Sequence, residues 1–341
     1  MSYATAIATS STYRRLIKAS GQIASLAYSK PTDPGDAIAT AASLIQDIAH
    51  HQNNKSFITI ADAATKAWDK IGEAHLNPNS IMGIPTGIAP LDTITHGLQD
   101  SDLIIIAGRP GVGKTAFAMT IVQHAVLKAN VPTAVFSMEM SATQLATRMI
   151  SSVASMDSQR IKTGDISSFE MERITRAVGT LHEAPLYIDD TAGLSTIDLR
   201  SRCKQMVLQH DIKLIVIDYL QLMYASTTKG GGHRTQEVAE ISRTLKGIAR
   251  EYNLPVIALS QLNRQIEMRP GKTPQLSDLR ESGSIEQDAD IVMFLSRDTL
   301  ESEATDNDKL TELVIAKHRN GPVATIGLRF VKEQTTFVEL T

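Results

Sequence analysis

The stretch that most restricts this chain is GRPGVGKT, Gly108 to Thr115. It fits G-x-x-x-x-G-K-[ST], follows the apolar run Leu103–Ala107, and leads into TAFAMTIVQHAVLKA, which reads as a helix. A strand that turns through glycines into a helix aims backbone N–H groups and the positive end of the helix dipole at one point. That arrangement suits a phosphate. Gly108, Arg109, Pro110, Gly111, Val112, Gly113, Lys114, Thr115 and Ala116 are the expected nucleotide cradle. Lys114 would reach the β- and γ-phosphates of ATP or another NTP, and the Thr115 hydroxyl would ligate Mg²⁺. A second Gly-Lys-Thr, at 271–273, has Ile266 where the first glycine should stand and no strand before it, so it reads as loop.

A phosphate loop of this kind needs a parallel sheet behind it, and the chain supplies one. Short apolar runs recur at Leu103–Ala107, Thr133–Ser137, Leu186–Ile188, Leu214–Ile217, Val256–Ser260, Ile291–Leu295, Leu313–Ala316 and Ala324–Val331. The first five are separated by segments long enough for helices, the pattern of an α/β fold with helices on both faces of a mostly parallel sheet. The last runs follow one another closely, as an antiparallel C-terminal extension would.

Residues 1–80 read differently. Leu16, Ile17, Ile23 and Leu26 give a helix face after Ser10-Ser11-Thr12, although the absence of acidic residues before Asp33 also resembles a targeting segment. A second helix is expected after Pro34-Gly35. Ile60, Ala64, Ala67, Ile71 and Ala74 mark a third, whose stripe is too small to fold alone. The expected division is helical segments over 1–52 and 53–80, the second in need of a surface to dock on, and a larger α/β domain over 81–341. No apolar run reaches the roughly 20 residues of a membrane span. The single cysteine, Cys203, suits a reducing cytoplasm. A net charge of −3 means that any nucleic acid is gripped by local loops and not by a basic field over the surface.

Three further residues sit where strand ends should converge on the phosphate loop. Asp218 ends the strand in LIVIDYLQLM and is expected to hold Mg²⁺, directly or through water. Glu139, in FSMEMS, can orient and deprotonate an attacking water, and its position fits a helix-cap glutamate before Ser141 equally well. Gln261, at the end of VIALSQL, can contact the γ-phosphate and report its loss to the segment that follows. That segment, 263–281, carries Arg264, Arg269, Lys272 and Arg280 among prolines, and it is a candidate for gripping a phosphate backbone. Few aromatics lie nearby, so backbone contact is favoured over base stacking.

Near the end, AKHRNGPV places Lys317 and Arg319 two residues apart after an apolar run. Side chains alternate along a strand, so both cations leave on one face. From the octapeptide alone they are two exposed cations at a strand end.

Together GIPTGIAPLD, the phosphate loop, FSMEMS, IVIDYLQLM, QEVAEISRTLKGIARE, LPVIALSQLNR, LSDLRESGSIEQDADIVMFL and AKHRNGP resemble the C-terminal motor of DnaB-type replicative helicases, over about residues 80–341. The resemblance implies a RecA-like P-loop NTPase that assembles as a homo-hexamer around single-stranded DNA, hydrolyses ATP between subunits and displaces the complementary strand. It implies the roles given above for Lys114, Thr115, Glu139, Asp218 and Gln261. It assigns DNA contacts to the loop of Arg280, Glu281 and Gly283, with Glu281 positioning that loop. Lys317 and Arg319 become cations offered to the neighbouring subunit's nucleotide. Primase or a helicase loader would be partners. The resemblance makes 1–52 a helical remnant of an N-terminal domain expected to be absent or reduced, 53–80 a linker helix docking on a neighbouring subunit, and 81–341 the motor domain. The alternatives are a RecA-like recombinase or clock-type ATPase, and a nucleotide-binding DNA scaffold without motor activity.

Overall fold

Residues 3–29, 59–76, 81–225, 234–263, 274–279, 283–297 and 309–340, with isolated positions between 35 and 44, are described by the computed structural model. The chain divides into two compact units, Met1–Pro78 and Asn79–Thr341.

In the first unit, helix α1 spans Tyr3–Tyr28. It runs straight through Ser10-Ser11-Thr12, where the sequence suggested a start. Ala4, Ala6, Ile7 and Ala8 precede those residues with no glycine or proline, so helix propensity carries the helix through. Helix α2 spans Ile60–Leu76. Thr59 caps it: Asp62 N donates to Thr59 Oγ1 at 3.1 Å, and that hydroxyl donates to Asp62 Oδ2 at 2.8 Å. Three of its large apolar side chains are exposed, Ile60 at 85%, Trp68 at 74% and Ile71 at 62%. The helix expected after Pro34-Gly35 lies outside the described residues, apart from the isolated positions, which are helical.

The second unit runs α3 (Ala89–Thr95), β1 (Leu103–Gly108), α4 (Lys114–Leu127), β2 (Thr133–Ser137), α5 (Ala142–Val153), α6 (Ser158–Thr163), α7 (Ser168–His182), β3 (Leu186–Asp189), α8 (Thr196–His210), β4 (Leu214–Asp218), α9 (Arg234–Tyr252), β5 (Val256–Gln261), α10 (Gly283–Asp288), β6 (Ile291–Ser296), β7 (Lys309–His318), β8 (Ala324–Val331) and β9 (Thr336–Glu339). The strands form one sheet in the order β3-β2-β4-β5-β1-β6-β7-β8-β9. Every pairing from β3 to β6 is parallel, and every pairing from β6 to β9 is antiparallel. The parallel set therefore includes β6, one strand more than its spacing suggested. The segment between β5 and β6 is long enough to cross over and return. Strand β9 carries no strand signal in the sequence, because only Phe337 of TFVE is both apolar and buried.

Alternation along the parallel strands divides the core in two. Ile104 and Ile106 of β1 join Phe117, Ile121 and Val122 of α4 and Leu145 and Met149 of α5 on one face. Leu103, Ile105 and Ala107 join Leu199 and Cys203 of α8 and Ile241, Leu245 and Ile248 of α9 on the other. Helix α4 buries more than one face because β9 covers it as well as the sheet. Phe117 is fully buried and meets Phe337 edge-on, with ring centroids 5.5 Å apart. Truncating such a side chain to alanine costs about 3–5 kcal/mol.

Candidate active site

Parallel strands present their C-terminal ends at one edge, and register decides which residues meet there. Gly108 of β1 is paired with Gln261 of β5. Asp218 of β4 is paired with Ser137 of β2, two residues before Glu139. Main-chain bonds continue the alignment past the strands: Leu262 N donates to Gly108 O at 3.3 Å and Met138 N to Asp218 O at 2.8 Å.

The loop from Gly108 to Gly113 leaves β1 at this edge and enters α4. Two glycines are required by its path. A Cβ on Gly108 would lie 2.7 Å from Val112 Cγ1 and 2.9 Å from Leu295 O. Gly113 has φ 104°, and a Cβ there would come within 3.0 Å of the Phe337 ring. Gly113 is also the N-cap of α4 and offers no side-chain cap, so the N–H groups of the first turn remain available to an anion.

Lys114 Nζ donates to Gly108 O at 3.0 Å and Arg109 O at 3.2 Å, which holds the ammonium over the loop. Burial pulls its pKa below the ordinary lysine range, while the carboxylates of Asp218 and Glu139 act the other way. Thr115 Oγ1 donates to Asp218 Oδ2 at 2.8 Å. Burial raises the Asp218 pKa and the negative charge of Glu139 adds to it, opposed by the Thr115 hydrogen bond and by Lys114 and Arg148. A hydroxyl and a carboxylate in contact, beside a phosphate loop, fit Mg²⁺. That ion keeps several waters and takes few protein ligands. Among the described residues no group of three or more His, Cys, Asp or Glu could form a metal cage.

A cavity of about 320 Å³ brings the predicted residues together: Lys114 and Thr115 from the loop, Glu139 after β2, Asp218 ending β4 and Gln261 ending β5. Pro110, Gly111, Gly113 and Ala116 also line it. Gly108, Arg109 and Val112 do not; Val112 is buried in the core, and the carbonyls of the other two hold Lys114. Glu139 is exposed in this cavity and does not cap α5. That task falls to Ser141 and Gln144, which bond reciprocally at 3.1 and 3.3 Å.

Four lining residues had no sequence signal. Arg148 looked like any polar residue of an amphipathic helix, and Tyr219 like an ordinary strand-end aromatic. Phe330 and Thr335 belong to the β8–β9 hairpin, which folds over the loop only in three dimensions. Gln221, equally without a sequence signal, stands behind Gln261: its Oε1 accepts from Gln261 N at 3.2 Å, and its Nε2 donates to Ser260 Oγ at 3.0 Å and Gln261 O at 3.2 Å.

Lys317 and Arg319 lie at the opposite edge. His318 is paired with Ile291 at the start of β6, whereas Leu295, four residues on, is paired with Gly108. At roughly 3.3 Å per residue this separates the two cations from their own phosphate loop by about 13 Å along the strand. Gly283 opens α10. Arg269, Lys272, Arg280 and Glu281, with Arg264, lie outside the described residues.

Residues 83–339 match the DnaB-like helicase C terminal domain. The replicative DNA helicase DnaC of Bacillus subtilis (strain 168) is 44% identical over 338 residues, which cover 99% of this chain and 74% of the relative. The replicative DNA helicase DnaB of Geobacillus stearothermophilus matches with the same identity and coverage. The chain belongs to the DnaB-like replicative DNA helicases. Membership makes it an ATP-dependent helicase and decides against the recombinase and clock-type alternatives. Solved structures agree. One, described as an ATPase domain, superposes with a TM-score of 0.77 at 36% identity, covering 83% of this chain and 99% of that one. A DnaB-like replicative helicase described together with its interactions with primase superposes with a TM-score of 0.82 at 35% identity, covering 97% of this chain and 76% of that one. No helix among the described residues of this DnaB-like chain is long and apolar enough to cross a membrane.

Proposed function

We propose that this chain works as a homo-hexameric ring on single-stranded DNA, with ATP hydrolysed between subunits to drive translocation and unwinding. The observation that carries the proposal is the single cavity uniting the phosphate loop, the Thr115–Asp218 pair, Glu139 and Gln261.

Each residue has a task that its position supports. The N–H groups at the start of α4 and the Lys114 ammonium bind the β- and γ-phosphates. Thr115 and Asp218 are the groups to hold Mg²⁺, which when bound supplies positive charge to the phosphate oxygens. Glu139, exposed to the cavity, takes a proton from water as its oxygen bonds to the γ-phosphorus and the bond to the bridging oxygen breaks. Gln261 contacts the γ-phosphate, and Gln221 fixes its main chain from behind. Loss of the phosphate is felt in the segment that leaves β5, where Arg269, Lys272, Arg280, Glu281 and Gly283 are the proposed DNA contacts.

Lys317 and Arg319 serve a different copy of the chain. Their place at the far edge of the sheet keeps them from their own nucleotide, and an arginine supplied from a neighbour stabilises charge as the phosphoryl group transfers. The exposed stripe of Ile60, Trp68 and Ile71 supports a linker helix that docks on a neighbouring subunit. Primase is the proposed protein partner, supported by the structural relative described with it, and a helicase loader is the other. The cytoplasm is the proposed location, supported by the bacterial relatives.

Strand displacement on a forked DNA, followed alongside DNA-stimulated ATP hydrolysis, tests the motor reading, with Lys114→Ala as the inactive control. Wild-type protein that hydrolysed ATP as a ring yet never displaced a strand would falsify it.

A further inference from the structure

Within one subunit both cations of the finger pair fold onto the C-terminal end of α10. Lys317 Nζ donates to Glu286 O and, at 2.7 Å, to Ala289 O. Arg319 Nη2 donates to Gln287 O, and its Nη1 lies 3.6 Å from Asp290 Oδ1. The main chain is tied at the same point, because Arg319 N donates to Asp290 O at 2.9 Å.

Asp290 is the unusual member of this group. It is only 5% exposed, although it carries a charge, and its other oxygen is fully used. Oδ2 accepts from Leu103 N, the first amide of β1, at 2.8 Å and from Lys246 Nζ of α9. Lys246 is itself held by Ser101 O at 2.7 Å. The carboxylate is thus locked to a central strand and to a core helix on one side and turned toward Arg319 on the other. A buried carboxylate needs partners, and Oδ2 finds its own in β1 and α9. The remaining oxygen faces, at 3.6 Å, a guanidinium whose side chain is 46% exposed and whose other nitrogen is held by Gln287 O. An arginine left loose at a turn samples many rotamers, and one aimed at a transferring phosphoryl group gains from being restricted in advance.

We propose that Asp290 is a positioning residue for hydrolysis in the neighbouring subunit: anchored through Oδ2 to Leu103 and Lys246, it sets the direction of Arg319 through Oδ1. The proposal rests on the reading of Arg319 as a group offered in trans. It adds a physical link, since β1 carries Asp290's anchor at one end and the phosphate loop at the other. Each subunit's own pocket and the carboxylate that faces its lent cation are thus tied to opposite ends of the same strand.

The test uses full-length rings. Asp290→Asn keeps an oxygen for Leu103 N while removing the charge that faces Arg319, and Asp290→Ala removes both; ring mass and thermal unfolding report folding. The expected result is a kcat lower by roughly tenfold to a hundredfold, with KM for ATP and binding of a fluorescent ATP analogue within about twofold. In mixed rings, Asp290→Asn subunits should regain hydrolysis with Lys114→Ala subunits, which lend an intact finger, and should regain none with Arg319→Ala subunits. A purely structural defect would not follow that pattern. Rings of Arg319→Ala with Lys114→Ala serve as the control. If the control recovers and the Asp290→Asn mixture does not, Asp290 acts inside its own subunit and the proposal is overturned while the finger stands. If the control itself fails, the finger reading is lost and Asp290's role with it. A kcat within twofold of wild type for Asp290→Asn would also overturn the proposal.

Discussion

Thr115 and Asp218 lie 103 positions apart in the chain, yet the hydroxyl of one donates to the carboxylate of the other at 2.8 Å. Their meeting joins the start of α4 to the end of β4 at the floor of the nucleotide cavity. It also satisfies a carboxylate whose residue is only 4% exposed.

Removing that hydroxyl has a cost separate from catalysis. Thr115→Ala leaves Asp218 Oδ2 without its donor in a buried setting, which is expected to lower stability by about 1–3 kcal/mol. Denaturant unfolding without nucleotide measures it. An unchanged midpoint would mean that water replaces the hydroxyl at no cost.

Glu139 separates binding from turnover. Glu139→Gln keeps the size and exposure of the side chain and removes its capacity to accept a proton. Hydrolysis is expected to fall by a factor of about 10²–10⁴ while nucleotide affinity stays within a few-fold. Phosphate release and fluorescent-nucleotide titration on the same sample distinguish this outcome from a joint loss, which would make Glu139 a binding group.

Asp102 gives the second unit a pH signature. Burial, helped by the nearby charge of Asp290, pushes its carboxyl up from 3.8 to about 6. Between those values the folded state keeps a proton that the unfolded chain has released. Its contribution to stability is therefore full below about pH 4 and lost as pH rises through about 6. Asp102→Asn stays neutral throughout. Its Tm relative to wild type should climb from about pH 4 to about pH 7, and a difference independent of pH would separate Asp102 from folding.

The stripe on α2 should matter to assembly and not to the subunit. Ile71→Asp changes a side chain that is 62% exposed, so subunit stability should move by no more than about 0.5 kcal/mol. Native mass spectrometry should show smaller or less persistent oligomers. Intact rings at the lowest concentration measured would free α2 of the docking role.

The edge that carries the candidate site is legible in the sequence because its residues occupy positions that chain order alone defines: a loop between strand and helix, and the last residues of apolar runs. Asp218 and Gln261 could be placed without knowing which strands are neighbours, since every parallel strand ends at the same edge. Residues that depend on lateral packing could not. Gln221 supports Gln261 through a 3₁₀ turn, Leu220–Leu222, and Phe330 reaches the cavity from β8, far along the chain from the loop it faces. The setting of Lys317 and Arg319 was hidden for another reason. Their partners are mainly main-chain carbonyls of α10, and a carbonyl has no letter in the sequence.

If Arg319 is offered in trans as proposed, then because β1 ends in the phosphate loop and begins at Leu103, which holds Asp290, a subunit receives help at one edge and gives it from the opposite one. Two such faces differ, so a two-fold pair cannot satisfy both; head-to-tail repetition must close on itself or spiral. In a closed assembly every pocket is completed. In an open one, a single terminal pocket has no lender and one finger has no borrower. On this reading, parting the ring to admit a strand of DNA silences one site at the gap, and closing it restores that site, so the symmetry of the assembly acts as a catalytic variable.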